Sequence, residues 1–301
     1  MTGFLDEMAR SSAARVAEAI RHESVDALER RARRAAPSAP LRLSASGFDV
    51  IAELKLRSPA AGQLSRESED WLGRVAAYAR GGAAAVSVLT EPSRFDGSLD
   101  HLRRAAAVLA PLGVPAMRKD FLVDPYQVLE ARAAGAGGVL VILRMLTRPR
   151  IDQLLDVAAE HGMFVLLEAF DAEDLAMARD LKTARAVRRA GSAEGGREFA
   201  NGGELANGGK FGNGGEMILM GVNCRDLQTL KVVQERFTAL APLLPAGWPA
   251  VAESGVASSL DARRMQQLGY RLALIGTALM ESGDPSQLLR HIFDATRTVQ
   301  P

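Results

Sequence analysis

Eight short apolar runs, each followed by an amphipathic stretch, recur along this chain, and that rhythm constrains its fold more than any other feature. The runs are Val50–Leu54, Ala85–Leu89, Val114–Met117, Val139–Leu143, Phe164–Leu167, Ile218–Val222, Ala250–Ala252 and Leu272–Ile275. Strand-like runs alternating with helical patterns predict a parallel α/β sheet whose crossovers are helices. Eight is the number that closes such a sheet into a (β/α)8 TIM barrel. The runs start 35, 29, 25, 25, 54, 32 and 22 residues apart, and a strand–helix unit takes roughly 30. A length of 301 residues suits two ordinary domains or one large barrel; the rhythm favours one barrel domain over residues 1–301.

The long interval holds a glycine-rich near-repeat, Gly195–Asn201, Gly202–Asn207 and Gly208–Asn213, ending in Gly214-Gly215. Paired glycines at that density carry too much chain entropy to fold alone. Residues 183–216 therefore read as a flexible Gly-rich insertion before the sixth strand, tolerated as a surface loop. In front of the barrel, residues 1–48 form an N-terminal helical extension. Within it Leu5, Met8, Ala9, Val16, Ala19 and Ile20 fall at helical spacing in one helix over 4–34. Its arginine-rich end, Arg30–Arg34, reads as a solvated face.

With 37 basic against 36 acidic residues the net charge is +1, which builds no field for a nucleic-acid partner. A single cysteine, Cys224, excludes internal disulfides and thiolate-rich metal sites and suits a reducing compartment. No apolar run reaches signal-peptide or membrane-span length, so a cytoplasmic protein without a membrane partner is expected. His22, His101, His161 and His291 are scattered over predicted helices or their ends and read as surface residues, so no metal is expected. Gly135–Gly138 precedes a strand instead of following one, so it is no dinucleotide loop.

In a barrel of this kind the chemistry sits at the C-terminal strand ends. Those ends are unusually polar: Glu53, Lys55 and Ser58 after the first strand, Thr90-Glu91 after the second and Lys119-Asp120 after the third. Glu168 ends the fifth, Asn223 and Arg225 the sixth, Glu253-Ser254-Gly255 the seventh and Gly276-Thr277 the eighth. Charges aimed into a barrel need either an ion-pair partner or a catalytic use. Only five of the basic residues are lysines, which singles out Lys119. Apolar walls and nearby cations are expected to lower its pKa into the range useful for general-acid work. Ser254-Gly255 and Gly276-Thr277 suit a phosphate, held by the loops after the last two strands.

The strings at these ends resemble the indole-3-glycerol-phosphate synthase family. They are Ile51–Pro59, Ser87–Glu91 with Phe95–Ser98, Lys119–Gln127, Gly221–Leu227, Ala252–Val256 and Ile275–Met280, and the resemblance runs from about residue 4 to 295. It implies a lyase of tryptophan biosynthesis that uses no cofactor. Its reaction would be ring closure, decarboxylation and dehydration of 1-(2-carboxyphenylamino)-1-deoxyribulose 5-phosphate to indole-3-glycerol phosphate. Lys119 would be the general acid, Glu168 its acid/base partner, and Glu53 would assist proton transfer. Lys55, Asn223, Arg225 and Glu253 would hold and orient the substrate. Ser58, Pro59, Phe121 and Leu227 would line the aromatic pocket, and Ser254, Gly255, Gly276 and Thr277 would bind phosphate. The partner implied is a small phosphosugar; association with other tryptophan-pathway enzymes stays open. Ala169-Phe170 and Cys224 depart from the family pattern without touching the expected proton donors.

The resemblance leaves two rivals: another phosphosugar barrel such as phosphoribosylanthranilate isomerase, and a silent barrel that only binds a phosphate ligand. The isomerase chemistry calls for a cysteine–aspartate pair on early strands, and no early cysteine exists. Deleting the glycine-rich insertion is expected to leave turnover within about tenfold, roughly 1.4 kcal/mol of barrier, because it lies on the face away from the strand ends. Assay of the deletion variant checks this; a larger loss in a folded variant would give the insertion a role.

Overall fold

Alternate residues of a strand face opposite ways, and here both faces are apolar. Val50, Ala52, Leu54, Val86, Val88, Val139 and Val141 pack outward in one buried cluster; Ile51, Ala85, Met117, Leu140, Leu166, Leu219 and Val251 form a second cluster inside. Strands buried on both faces are those of a parallel sheet covered by helices. The computed structural model describes residues 3–45, 47–60, 62–64, 70–193, 217–227 and 229–297.

The chain opens with α1 (Phe4–His22) and α2 (Val25–Arg34), then enters the barrel through β1 (Asp49–Leu54). A two-residue-armed antiparallel hairpin follows, β2 (Arg57–Ser58) with β3 (Gly62–Gln63), too short to show in the hydrophobic rhythm. The remaining barrel strands are β4 (Ala85–Leu89), β5 (Ala116–Lys119), β6 (Gly138–Ile142), β7 (Phe164–Ala169), β8 (Ile218–Asn223), β9 (Ala250–Glu253) and β10 (Leu272–Ile275). Each pairs in parallel with the next, and β10 returns to β1, closing an eight-stranded barrel. Between them run α3 (Trp71–Arg80), α5 (Leu99–Leu109), α6 (Pro125–Ala133), α7 (Arg148–Glu160), α8 (Ala172–Ala193), α9 (Glu235–Leu240) and α10 (Ser259–Gln267), and α12 (Pro285–Thr296) closes the chain. Single turns α4 (Pro92–Phe95) and α11 (Thr277–Glu281) sit in the loops after β4 and β10. Asp124 before Pro125 and Asp284 before Pro285 each cap a first turn with the side chain, the arrangement that starts a helix without orphaned N–H groups.

Three of the boundaries that differ from the sequence expectation have a physical cause. The N-terminal segment is two helices, because Ser24 leaves the helical conformation and caps α2 by accepting from Ala27 N. The third barrel strand begins two residues late, since Pro115 has no N–H to give a ladder, and this makes Lys119 its last residue. Residues 183–193 are not loop but the last turns of α8. That stretch holds a single glycine, and Arg185 pairs with Asp152 and Asp156 on α7. The rest of the expected insertion, 194–216, lies outside the described residues, so a clean deletion should start after Ala193.

His161 is also not a surface residue. Its side chain is buried, with Nε2 3.1 Å from Glu29 Oε2 on α2. Among the described residues no group of three or more His, Cys, Asp or Glu side chains is placed to hold a metal, and no helix is long and apolar enough to cross a membrane.

Among the contacts that dock the extension on the barrel are an apolar seam against α6 and an ion pair to the buried Asp120. Val16, Leu28 and Ala32 pack with Tyr126 and Leu129 of α6, and the Tyr126 hydroxyl donates to the carbonyls of Ala19 and Glu23. Arg15 of α1 forks onto Asp120 at 2.8 and 3.0 Å. Asp120 also accepts from Arg118, Thr90 and the Phe121 N–H. Burial opposes its charge, but Arg118 and Arg15 outweigh this and hold the Asp120 carboxyl well below the usual carboxylate range. A depressed folded-state pKa contributes stability that is complete above the unfolded value near pH 4 and fades as pH falls toward the folded one. Asp120→Asn is expected to cost on the order of 3 kcal/mol at pH 7. Thermal melts of parent and variant should converge as pH is lowered below about 4; a constant gap would remove the carboxylate's charge as the cause.

Candidate active site

Strand parity decides what reaches the mouth of the barrel. Glu53, Lys119, Glu168 and Glu253 each sit two residues beyond an inward-packed apolar residue, Ile51, Met117, Leu166 and Val251, so all four point into the same space. The three carboxylates are only 3%, 2% and 1% exposed. Lys119 Nζ lies 3.3 Å from Glu168 Oε2 and 3.4 Å from Glu253 Oε2. Across the cavity Lys55 Nζ lies 2.9 Å from Glu53 Oε1. Asn223 donates to Glu168 Oε1 at 3.1 Å and accepts the Arg225 N–H, while the Arg225 guanidinium donates to the Leu230 carbonyl.

Around this polar ring the walls are apolar. Leu89, Leu140, Ile142 and Leu274 come from the barrel, Phe95, Phe121 and Leu227 from its loops, and Phe4 and Leu5 from α1. The Phe4 and Phe121 rings meet edge to face at 5.7 Å. The cavity holds ≈ 690 Å³ counted to its open mouth, a size that takes a small organic ligand.

Burial disfavours the Lys119 ammonium, but Glu168, Glu253 and Glu53 together outweigh it and raise its pKa above the ordinary lysine value. The expected lowering is therefore overturned: the nearest charges are anions, not cations. Glu53 is opposed by burial but brought below the usual carboxylate range by Lys55 and Lys119. Glu253 goes the other way, pushed well above that range by burial and by Glu168. Its Oε1 receives no donor, and two carboxyls this close oppose each other's ionisation. Lys55, Lys119 and Arg225 bring three cationic side chains to this cavity, a set that suits an anionic ligand.

Eleven of the side chains singled out from sequence line this one cavity: Glu53, Lys55, Lys119, Asp120, Phe121, Glu168, Asn223, Arg225, Leu227, Glu253 and Ser254. Ser58 and Pro59 do not; they lie in the hairpin, Ser58 buried and Pro59 exposed at its turn. Gly255, Gly276 and Thr277 sit at the ends of neighbouring β9 and β10, beside the cavity and not on its wall. Ser254 is left-handed at φ 67 and Gly255 at φ 82, a turn that costs the serine about 1–2 kcal/mol. Phe4 and Leu5 were missed as lining residues, for helical spacing shows that an apolar face exists but not what it covers.

The indole-3-glycerol phosphate synthase family profile matches residues 5–186 and 206–292. The chain is 37% identical to the indole-3-glycerol phosphate synthase of Parafrankia sp. (strain EAN1pec), over 97% of this chain and 95% of that one. It is 36% identical to that of Methanopyrus kandleri, over 86% and 87%. This chain belongs to the indole-3-glycerol phosphate synthase family. Among solved structures, 3-hexulose-6-phosphate synthase from Salmonella typhimurium superposes with a TM-score of 0.54 at 14% identity, covering 83% of this chain and 98% of that one. Thiamine phosphate pyrophosphorylase from Pyrococcus furiosus does so at 0.51 and 12%, covering 83% and 96%. Both likenesses concern the barrel fold alone. Within the family setting Cys224 is no nucleophile. It is buried in the outward-facing cluster, and burial pushes its thiol up to about 12.

Proposed function

We propose that this chain is a carboxy-lyase that closes the indole ring of 1-(2-carboxyphenylamino)-1-deoxyribulose 5-phosphate, giving indole-3-glycerol phosphate, carbon dioxide and water. The observation that carries the reading is the Lys119 ammonium, fixed between Glu168 and Glu253 at the floor of an apolar cavity. A proton donor there polarises the substrate ketone while the walls hold the aromatic ring at bonding distance. The ring carbon bearing the carboxylate bonds to the ketone carbon, and the ketone oxygen takes the Lys119 proton. Carbon dioxide then leaves its electron pair to the ring. The new hydroxyl leaves as water, taking one proton from an acid while a base removes one from the closed ring; Glu168 and Glu53 stand on two sides of the cavity for these steps. Lys55 and Arg225 answer the substrate's negative charge, and Ser254, Gly255, Gly276 and Thr277 hold the phosphate.

With that activity the chain would act in tryptophan biosynthesis, in the cytoplasm, on a small phosphosugar substrate. A continuous assay of the purified protein, following indole fluorescence with the carboxyphenylamino-deoxyribulose phosphate as substrate, is expected to show turnover without added metal or cofactor. A folded protein that binds the substrate and never turns it over would make this a silent barrel.

A further inference from the structure

Gly221 lies inside β8, opposite Glu168 of β7, and the same strand sets Asn223 opposite Glu253 of β9. It is thus the inward position between the two carboxyls. Its backbone does not call for glycine, since it is not among the residues of positive φ. What excludes a side chain is space. A Cβ at 221 would overlap Glu253 Oε1 and stand 3.1 Å from Glu253 Cδ and from Leu166 Cδ1. The overlap with Oε1 is much the tighter, so the carboxyl would have to swing away, while the fully buried Leu166 need give only by a few tenths of an ångström. Glycine inside a strand often marks such a close approach.

We propose that Gly221 is a positioning residue for the reaction: the side chain it lacks is the space through which the Glu253 carboxyl reaches Glu168 and Lys119. Its catalytic consequence rests on the function proposed above. Gly221→Ala forces Glu253 to rotate out of reach of Lys119, and displacement of a site group by about 1 Å can cost on the order of a hundredfold in rate. The rise of the Glu253 pKa through Glu168 agrees with a contact that this space permits.

The test is a cycle of Gly221→Ala, Glu253→Ala and the double variant, each assayed for kcat and KM with thermal melts alongside. Gly221→Ala is expected to lower kcat about a hundredfold with KM within about threefold. In the Glu253→Ala background the same substitution should change kcat less than about twofold, because no carboxyl remains to displace. An equal loss in both backgrounds, or full activity of Gly221→Ala, overturns the proposal. If only Gly221→Ala fails to fold and the double variant folds, the obstruction by Glu253 stands; failure of both assigns Gly221 to packing and overturns it. A crystal structure of Gly221→Ala reads the same point without turnover: Glu253 Oε2 displaced beyond hydrogen-bond reach of Lys119 Nζ supports the proposal, and an unmoved carboxyl refutes it. An inactive parent would overturn the proposed function and leave this geometric readout to decide Gly221.

Discussion

Lys119→Ala is expected to lower kcat for ring closure by at least about a thousandfold while the barrel stays folded. General-acid catalysis is worth roughly 10²–10⁴ in rate, and here the same ammonium also supplies the charge that meets the developing oxyanion in a water-poor cavity. Neither neighbour replaces it. Lys55 is engaged with Glu53 at 2.9 Å, and the Arg225 guanidinium is bound to the Leu230 carbonyl. The fold survives because the groups left behind are carboxyls, which can take up protons instead of remaining as buried charges. That gives the variant a second signature. Its melting temperature should lie below the parent's, and the gap should narrow as pH falls, because the Glu253 carboxyl, whose pKa is already raised by burial, gives up its charge more readily once the cation is gone. Indole fluorescence and thermal melts at several pH values read both effects. A residual rate within tenfold of the parent would take the general-acid role away from Lys119. Lys119→Arg is no substitute, since a planar fork neither fits between the two carboxyls as a point charge does nor gives up a proton as readily.

The polar strand ends were legible because a barrel's parity and direction turn a list of residues into a place. Glu53, Glu168 and Glu253 follow runs such as Phe164–Leu167 that could only be buried strands, so their side chains had to enter one cavity. What a linear pattern could not show was the sign of the field there. Lys119 is separated by 49 and 134 positions from the carboxyls that raise its pKa; only closure of the barrel sets three carboxyls around it. The same limit hid Gly221 and Gly276. At 276 a Cβ would stand 2.5 Å from Glu53 Oε1 and 3.2 Å from Lys55 Nζ, so this glycine clears room for an ion pair as well as ending a strand. A glycine that makes room for a distant side chain looks in sequence like any turn glycine. Ser58 and Pro59 stand off the cavity wall for the opposite reason: they sit near Lys55 in sequence, but the short hairpin carries them to one side. Phe4 and Leu5 enter it from the far end of the chain, brought there by the Arg15–Asp120 fork and the Tyr126 contacts.

Glu168→Gln is expected to lower kcat by about 10²–10⁴, the range for loss of a general acid/base, yet to leave the melting temperature unchanged or higher. The amide keeps the shape of the carboxyl. Its oxygen still accepts from Asn223 or from Lys119, the two donors that Glu168 now engages at 3.1 and 3.3 Å. What goes is a charge buried beside another carboxyl. With that charge removed, Glu253 loses the main neighbour that pushes its pKa up, and it can ionise and pair with Lys119 alone. The net ion-pairing of the cluster is then one ammonium to one carboxylate, a better balanced arrangement than the present one. A rise in stability on removing a catalytic charge is the expected mark of a site arranged for reaction at the expense of the fold. The measurement is kcat beside Tm at pH 7, with Glu168→Ala as the control that also removes volume. Loss of activity with equal or higher Tm for the glutamine variant would give Glu168 a catalytic role; a matching fall in both would leave it a structural ion-pair partner of Lys119.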